Sequence, residues 1–298
     1  MNSLHCGTLF LLCGAVLFAQ GTSSSVNGTL VDPSGAGIPG ASCTLTNQST
    51  GAALSAPSGA DGRFVFPVVP SGTYRLEITN AGFRTLQMRD IVVTSSEVRS
   101  LGNVTMQIGE VREAISVTAE AAALQLSSAE KSGVVTGLQV NDLALKGRDF
   151  FALMQTIPGV VDTNSAREAT TTASNAGIYI NGARDNQKNF TVDGVTAHDT
   201  HSNGSMPFMP NMDSIAEVRI LTSNYQAEYG RNSGGAITTI TKSGTQSFHG
   251  SAYNFYRHES LNANSFFNNR TKTPKSPYRY RISGYSIGGP IFIPGKFN

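Results

Sequence analysis

The chain has 298 residues, room for two ordinary domains, with 14% charged residues, 31 glycines and a formal net charge of +2. A low-charge, turn-rich composition of this kind suits β structure, and near-neutrality supplies no basic stripe for nucleic acid or an anionic surface. The 12 prolines and 31 glycines are spread along the chain, so no segment is collagen-like or a pure linker, and no repeat of fixed period is visible.

Leu9 to Phe18 is an apolar run followed by Ala19, Gln20 and Gly21. It is too short to cross a bilayer as a helix and has the length of an export signal, assigned to residues 1–19. The segment before it has His5 but no Lys or Arg, and Leu12 before Cys13 argues against lipoprotein processing. Signal removal would take Cys6 and Cys13, and Cys43 alone cannot make an intrachain disulfide. Ala41, Cys43 and Leu45 share one face of a predicted strand, so Cys43 is expected to be a buried, inert thiol.

Residues 26–108 break into short strands at even spacing, the pattern of a β-sandwich. Strands are predicted over Val26 to Val31, Ala41 to Asn47, Gly62 to Phe66, Gly72 to Asn80, Asp90 to Val93 and Leu101 to Met106. Asp61-Gly62 is placed where a hairpin turn is wanted. Pro33, Pro39, Pro57, Pro67 and Pro70 are expected at edges and loops, because proline cannot donate to a ladder. Tyr74 and Phe83 could form a ligand platform, but alternating aromatics on strands are usually core.

Gly28, Asp32, Gly35, Ile38, Pro39, Gly40 and Ala41, then Asp61, Gly62, Phe64 and Phe66, then Pro70, Gly72, Tyr74, Ala81, Gly82 and Phe83 resemble the carboxypeptidase regulatory-like domain. That resemblance implies a prealbumin-like, carbohydrate-binding-like sandwich, with no implication of peptidase activity. Residues 109–119 form a linker in which Ile115-Ser116-Val117-Thr118-Ala119 alternates as a strand. Such a strand can be added to the edge of a partner sheet, main-chain hydrogen bonds giving affinity; the plain alternative is a linker strand.

Residues 120–244 predict an α+β unit. A helix is expected over Arg148 to Thr156, with Asp149 at its start, Phe150, Leu153, Met154 and Ile157 on one stripe, and Pro158-Gly159 to stop it. Asp193-Gly194 reads as a turn between strands. His198-Asp199-Thr200-His201 has the residue types of a zinc site, but Ser202-Asn203-Gly204-Ser205 follows it and no helical stripe precedes it, so a solvated loop is expected. From Ser214, Val218 and Ile220 alternate with Glu217 and Arg219 as in a strand with one buried face. Ile237, Thr238, Thr239, Ile240 and Thr241 are all β-branched, and Tyr229-Gly230 and Ser233-Gly234-Gly235 allow a tight reversal between the two runs.

Ile215, Glu217, Val218, Tyr229, Gly230, Gly234, Gly235, Ile237, Ile240, Thr241, Lys242 and Gly244 resemble, in that order, the end of the plug domain of TonB-dependent outer-membrane receptors. Asn224 to Gly230 is similar to the Oar-like group of that superfamily. Ile178-Tyr179-Ile180-Asn181-Gly182-Ala183-Arg184 and Thr191-Val192-Asp193-Gly194-Val195 match its paired "IRG.R" and "V.IDGV" strands, with Asn181 where arginine is usual. The resemblance implies that Ile115 to Ala119 is the TonB-box-like segment that engages the periplasmic energy transducer. It implies plug roles for Asn181, Gly182, Arg184, Asp193, Gly194, Tyr229, Gly230, Gly234, Gly235 and Lys242.

Residues 245–298 read as the start of a membrane β-barrel, the soluble alternative being a hairpin with one wet face, joined through the long Glu259 to Pro277 segment. Phe248 to Arg257 and Tyr278 to Ile287 have the length of tilted membrane strands, and Tyr278, Tyr280 and Ile282 alternate with Arg279, Arg281 and Ser283. Gly288-Gly289-Pro290-Ile291 resembles the "GGPI" element after an early barrel strand. The expected fold is mainly β: a prealbumin-like sandwich, an α+β plug and the first strands of an incomplete transmembrane barrel.

The chain stops at Phe297-Asn298 in mid-pattern, so it is expected to be the N-terminal part of a longer receptor, unable to transport alone. Its expected location is the outer membrane after export, with the N-terminal domains on the periplasmic side; the ligand taken up is left unidentified, carbohydrate and peptide being candidates. The alternative is a secreted sandwich that binds carbohydrate or protein. No G-x-S-x-G, Walker loop, H-E-x-x-H or CxxC pair is present, so no catalytic, metal or cofactor residue is assigned.

Overall fold

The computed structural model describes residues 24–109, 114–118, 128–143, 145–164, 167, 177–199, 201 and 204–291. The export signal at 1–19 lies outside them. The molecule divides into two compact units after Lys242.

The first unit begins with β1 (Ser24–Val31), β2 (Ser42–Asn47), β3 (Ala53–Pro57), β4 (Arg63–Val69), β5 (Gly72–Thr79), β6 (Thr85–Val93) and β7 (Val98–Thr105), and β8 (Ala114–Thr118) follows. One sheet has the order β4-β1-β7 and its partner β3-β2-β5-β6-β8. Strict alternation along β1 buries Val26 and Leu30 against Cys43, Leu45, Phe64, Phe66, Tyr74, Leu76 and Ile78 in one apolar core. Tyr74 belongs to that core, and its hydroxyl donates to the Pro70 carbonyl at 2.8 Å, so it is no ligand platform. Burial pushes the Cys43 thiol up to about 11, which keeps it protonated and unreactive at neutral pH. Pro67 lies in β4, an edge strand, where a missing donor costs the sheet nothing.

Three sequence expectations change here. The edge strand β3 is not predicted, because Ala53-Leu54-Ser55-Ala56-Pro57 has no β-branched residue; pairing with β2 makes it. Strand β6 starts at Thr85, not Asp90: the ladder with β5 shifts register between Tyr74 and Leu76, and Asp90 takes φ +59°, so a bulge interrupts the alternation. Asp61-Gly62 does not close a hairpin, since β3 and β4 lie in different sheets. Glycine is needed there because φ is +80° and a Cβ would stand 2.3 Å from the Leu30 carbonyl oxygen.

The rest of the first unit is built from β9 (Lys131–Thr136), α1 (Gly137–Asp142), β10 (Val160–Asp162), β11 (Ile178–Ile180), β12 (Lys188–Val192), β13 (Val195–Thr196), β14 (Ile215–Ser223) and β15 (Gly235–Thr241). Its main sheet runs β13-β12-β15-β14-β9, with β12 and β15 parallel, and β10 pairs with β11 alone. Thr136 and Gln139 form a capping box on α1, a helix too short for periodicity to reveal. The helix expected over Arg148 to Thr156 is instead a 3-10 helix from Phe150 to Thr156. Asp149 caps it by accepting from the Phe151 amide at 3.0 Å, and Phe150, Phe151, Leu153 and Met154 are all buried, more than a single α-helical stripe would carry. The strands expected as a pair around Ile180 and Thr191 lie in different sheets, because β13 and β15 occupy both edges of β12.

The second unit is a hairpin of β16 (His249–His258) and β17 (Arg279–Gly288), joined through the short helix α2 (Phe266–Arg270). Ten antiparallel pairs run from His249 opposite Gly288 to His258 opposite Arg279. Tyr280 and Ile282 lie on the face of Phe255 and Tyr253, while Arg279, Arg281 and Ser283 take the other, the alternation expected of a barrel strand. Arg257 places its guanidinium 4.6 Å from the centre of the Tyr278 ring.

Candidate functional site

The glycines of the plug-like motif are required by close backbone approach. The Gly234 amide donates to the Gln187 carbonyl at 2.8 Å, and a Cβ on Gly234 would stand 2.3 Å from that same oxygen. A Cβ on Gly235 would stand 2.5 Å from the Leu221 carbonyl and 3.0 Å from Ile180. Gly234 precedes and Gly235 opens β15 where it runs between β12 and β14, so any side chain would push the three strands apart.

Before them the chain is tied to itself. The Asn189 amide donates to the Gly230 carbonyl at 2.6 Å, and the Asn232 amide donates at 3.1 Å to the carbonyls of both Tyr229 and Gly230. The Tyr225 hydroxyl donates to Asn232 Oδ1 at 3.1 Å. Burial pushes the Tyr229 phenol up to about 12, with the Ser96 side chain beside it pulling the other way.

The remaining motif residues join strands that are distant in sequence. Asn181 has φ +52°, a left-handed conformation that asparagine tolerates, and its amide donates to the Thr222 carbonyl at 2.7 Å. Gly182 follows at φ +74°, and Arg184 is exposed, its carbonyl accepting from the Gln187 amide at 2.9 Å. Asp193 and Gly194, at φ +49° and +82°, form the two-residue turn between β12 and β13. The Asp193 amide donates to the Thr239 carbonyl at 3.0 Å, and its carboxylate accepts from the Thr241 amide at 2.9 Å and hydroxyl at 2.8 Å. Lys242 is exposed, and its amide donates to the Ser214 carbonyl at 2.7 Å.

Ile115, Ser116, Val117 and Thr118 lie in β8, which runs parallel to β6 with Leu86 opposite Ile115 and Arg89 opposite Thr118. Ala119 lies outside the described residues. Among the described residues the segment is thus already the outermost strand of the sandwich sheet, with one edge taken by β6 and the other bordering no further strand of that sheet. Around His198, the Asp199 carboxylate accepts from the His201 amide at 2.9 Å, and Thr200 lies outside the described residues. Among the described residues no group of three His, Cys, Asp or Glu side chains gathers to hold a metal.

Sequence reasoning missed what lies against β14. Val218 and Ile220 enter the plug core with Ile215, whose odd spacing follows from a register shift between Ile215 and Glu217. Glu217 and Arg219 were expected to face solvent, yet both are buried, Arg219 to 2% exposure, beneath the sandwich turn from Thr94 to Glu97. Beside this contact a cleft of about 420 Å³ is lined by Gly72, Val92, Leu138, Glu217 and Lys242.

A family model for a Carboxypeptidase regulatory-like domain matches residues 25–107, one for a TonB-dependent Receptor Plug Domain matches 126–237, and one for an Outer membrane beta barrel domain matches 240–297. The chain thus carries a TonB-dependent receptor plug domain between a carboxypeptidase regulatory-like domain and an outer-membrane β-barrel segment. The TonB-dependent transporter Oar of Myxococcus xanthus is 25% identical over 253 residues, or 82% of this chain, which spans 22% of that protein's length. Among solved structures, the siderophore receptor PirA from Pseudomonas aeruginosa aligns over 54% of this chain and 25% of its own, at 18% identity and a TM-score of 0.39. PirA from Acinetobacter baumannii aligns over 54% and 22%, at 21% identity and a TM-score of 0.38.

Proposed function

We propose that residues 24–242 are the gating and energy-coupling part of an outer-membrane receptor, whose plug closes a barrel to which β16 and β17 contribute. In this reading a TonB-type periplasmic transducer engages Ile115 to Ala119 and displaces the plug, admitting a ligand. The observation that supports it is the order of three matched domains, sandwich, plug and barrel, with a strand at 114–118 between the first two. β-strand addition is the physical mode: β8 offers main-chain donors and acceptors on the edge that β6 leaves open. Even the smallest closed membrane barrels need about eight strands, and an open edge in hydrocarbon leaves backbone groups unpaired. Uptake therefore requires strands additional to β16 and β17.

Titration of the full chain with the transducer's periplasmic domain tests the coupling role. The chain is expected to bind, and deletion of residues 115–119 to weaken binding at least about tenfold, since each lost main-chain hydrogen bond is worth about 1 kcal/mol. A deletion variant that binds as tightly as the parent would refute the assignment.

A further inference from the structure

We infer that the sandwich is clamped to the plug through the main chain of Ser95 and moves with it as one body. Glu217 and Arg219 stand two apart on β14 and therefore project from the same face. Glu217 Oε1 accepts from the Ser95 amide at 2.5 Å, and Arg219 donates through one terminal nitrogen to the Ser95 carbonyl at 2.5 Å and Thr94 Oγ1 at 3.0 Å. An acid and a base thus grip the N–H and C=O of a single residue, 122 and 124 positions away in sequence. The other terminal nitrogen of Arg219 donates to Glu130 Oε1 at 2.6 Å and Ser132 Oγ at 3.3 Å, so the cation is neutralised where it is buried.

The turn being gripped is itself fixed. Glu97 accepts from the Thr94 amide at 2.9 Å and hydroxyl at 2.6 Å, and Ser24 Oγ donates to the Thr94 carbonyl at 2.5 Å. Ser95 has no exposed surface. A buried pair of charges left without the turn would be costly, so separating sandwich from plug carries a desolvation penalty that an ordinary flexible linker does not. The contact also joins two strands of different domains end to face, because β6 finishes at Val93 and runs directly into Thr94.

A mechanical consequence rests on the coupling role proposed above. β8 is hydrogen-bonded along β6, so a pull on residues 115–118 loads β6, then Ser95, then β14, which lies between β15 and β9 in the plug sheet. The sandwich would then transmit force to the plug.

Amide hydrogen exchange on the full chain tests the clamp without any transducer, so its outcome is separate from that of the titration. In the parent, the Ser95 amide is expected to be as slow as the amides of β14. Arg219→Met should speed Ser95 exchange about 100-fold or more while leaving Leu76 and Ile78, in the sandwich core, unchanged. Glu217→Gln, which keeps the shape and removes the charge, should give a smaller change of the same sign and serves if Arg219→Met does not fold. A Ser95 amide that exchanges like an open turn in the parent, or is unaltered in both variants, would overturn the inference.

Discussion

Replacing Gly234 with valine is expected to destabilise the plug by about 3 kcal/mol or more, at the upper end of what overpacking costs. The obstacle is a main-chain carbonyl, that of Gln187, which would lie 2.3 Å from the new Cβ. It cannot step aside, because the same oxygen accepts the Gly234 amide hydrogen bond that sets β15 beside β12. Relief would require the parallel ladder between those strands to open, exposing Phe190 and Ile237. Chemical denaturation should show an early loss of plug structure, while Gly182→Ala, at a position with nothing within 4 Å, should show only the smaller strain of its φ. Equal midpoints for Gly234→Val and the parent would mean that β15 does not approach β12 as closely as described.

Arg167→Met is expected to cost about 3–5 kcal/mol, the penalty typical of breaking a buried ion network from one side. The Arg167 guanidinium bridges two carboxylates that have no exposed side-chain surface. It donates to Asp149 Oδ2 at 3.1 Å, to Asp162 Oδ1 at 2.8 Å and through Nε to Asp162 Oδ2. Methionine keeps much of the aliphatic volume, including packing near the Phe151 ring, but removes the cation facing both acids. Asp149 also caps the Phe150–Thr156 helix, so disturbing it should loosen that element too. Thermal denaturation near neutral pH checks the size of the loss; a change below about 1 kcal/mol, the range of exposed pairs, would show that the network is solvated.

Much of this fold was legible because local pattern and tertiary setting agree. The β-branched run from Ile237 to Thr241 became the middle of a sheet, and β16 and β17 lie within one residue of the segments their alternation predicted. Of the motif's backbone, the Asp193-Gly194 turn was legible, whereas Gly234 and Gly235, read as freedom for a tight reversal, are needed for close approach to neighbouring strands. What could not be read is what depends on distant partners. Glu217 and Arg219 alternate with apolar residues as a wet face would, and only a turn more than 120 positions away makes that face dry. The small residues of Ala53 to Pro57 carry no strand propensity, and β2 imposes the conformation. Around Asp149, consecutive buried phenylalanines favoured a tighter helix than the 3.6-residue stripe suggested. The pairing of residues 114–118 with β6 has no local signature either, because a parallel edge strand is defined by its neighbour.

Cysteine cross-linking in cells that assemble the receptor in their outer membrane tests the central claim most directly. Ser116→Cys in β8 and Ser55→Cys in β3 place thiols on opposite edge strands of one sheet, and buried Cys43 adds no background. With a transducer carrying a cysteine in its periplasmic domain, Ser116→Cys is expected to give a covalent adduct and Ser55→Cys to give none. Adducts at both positions, or at neither, would contradict the claim that the strand between sandwich and plug is where the receptor is pulled.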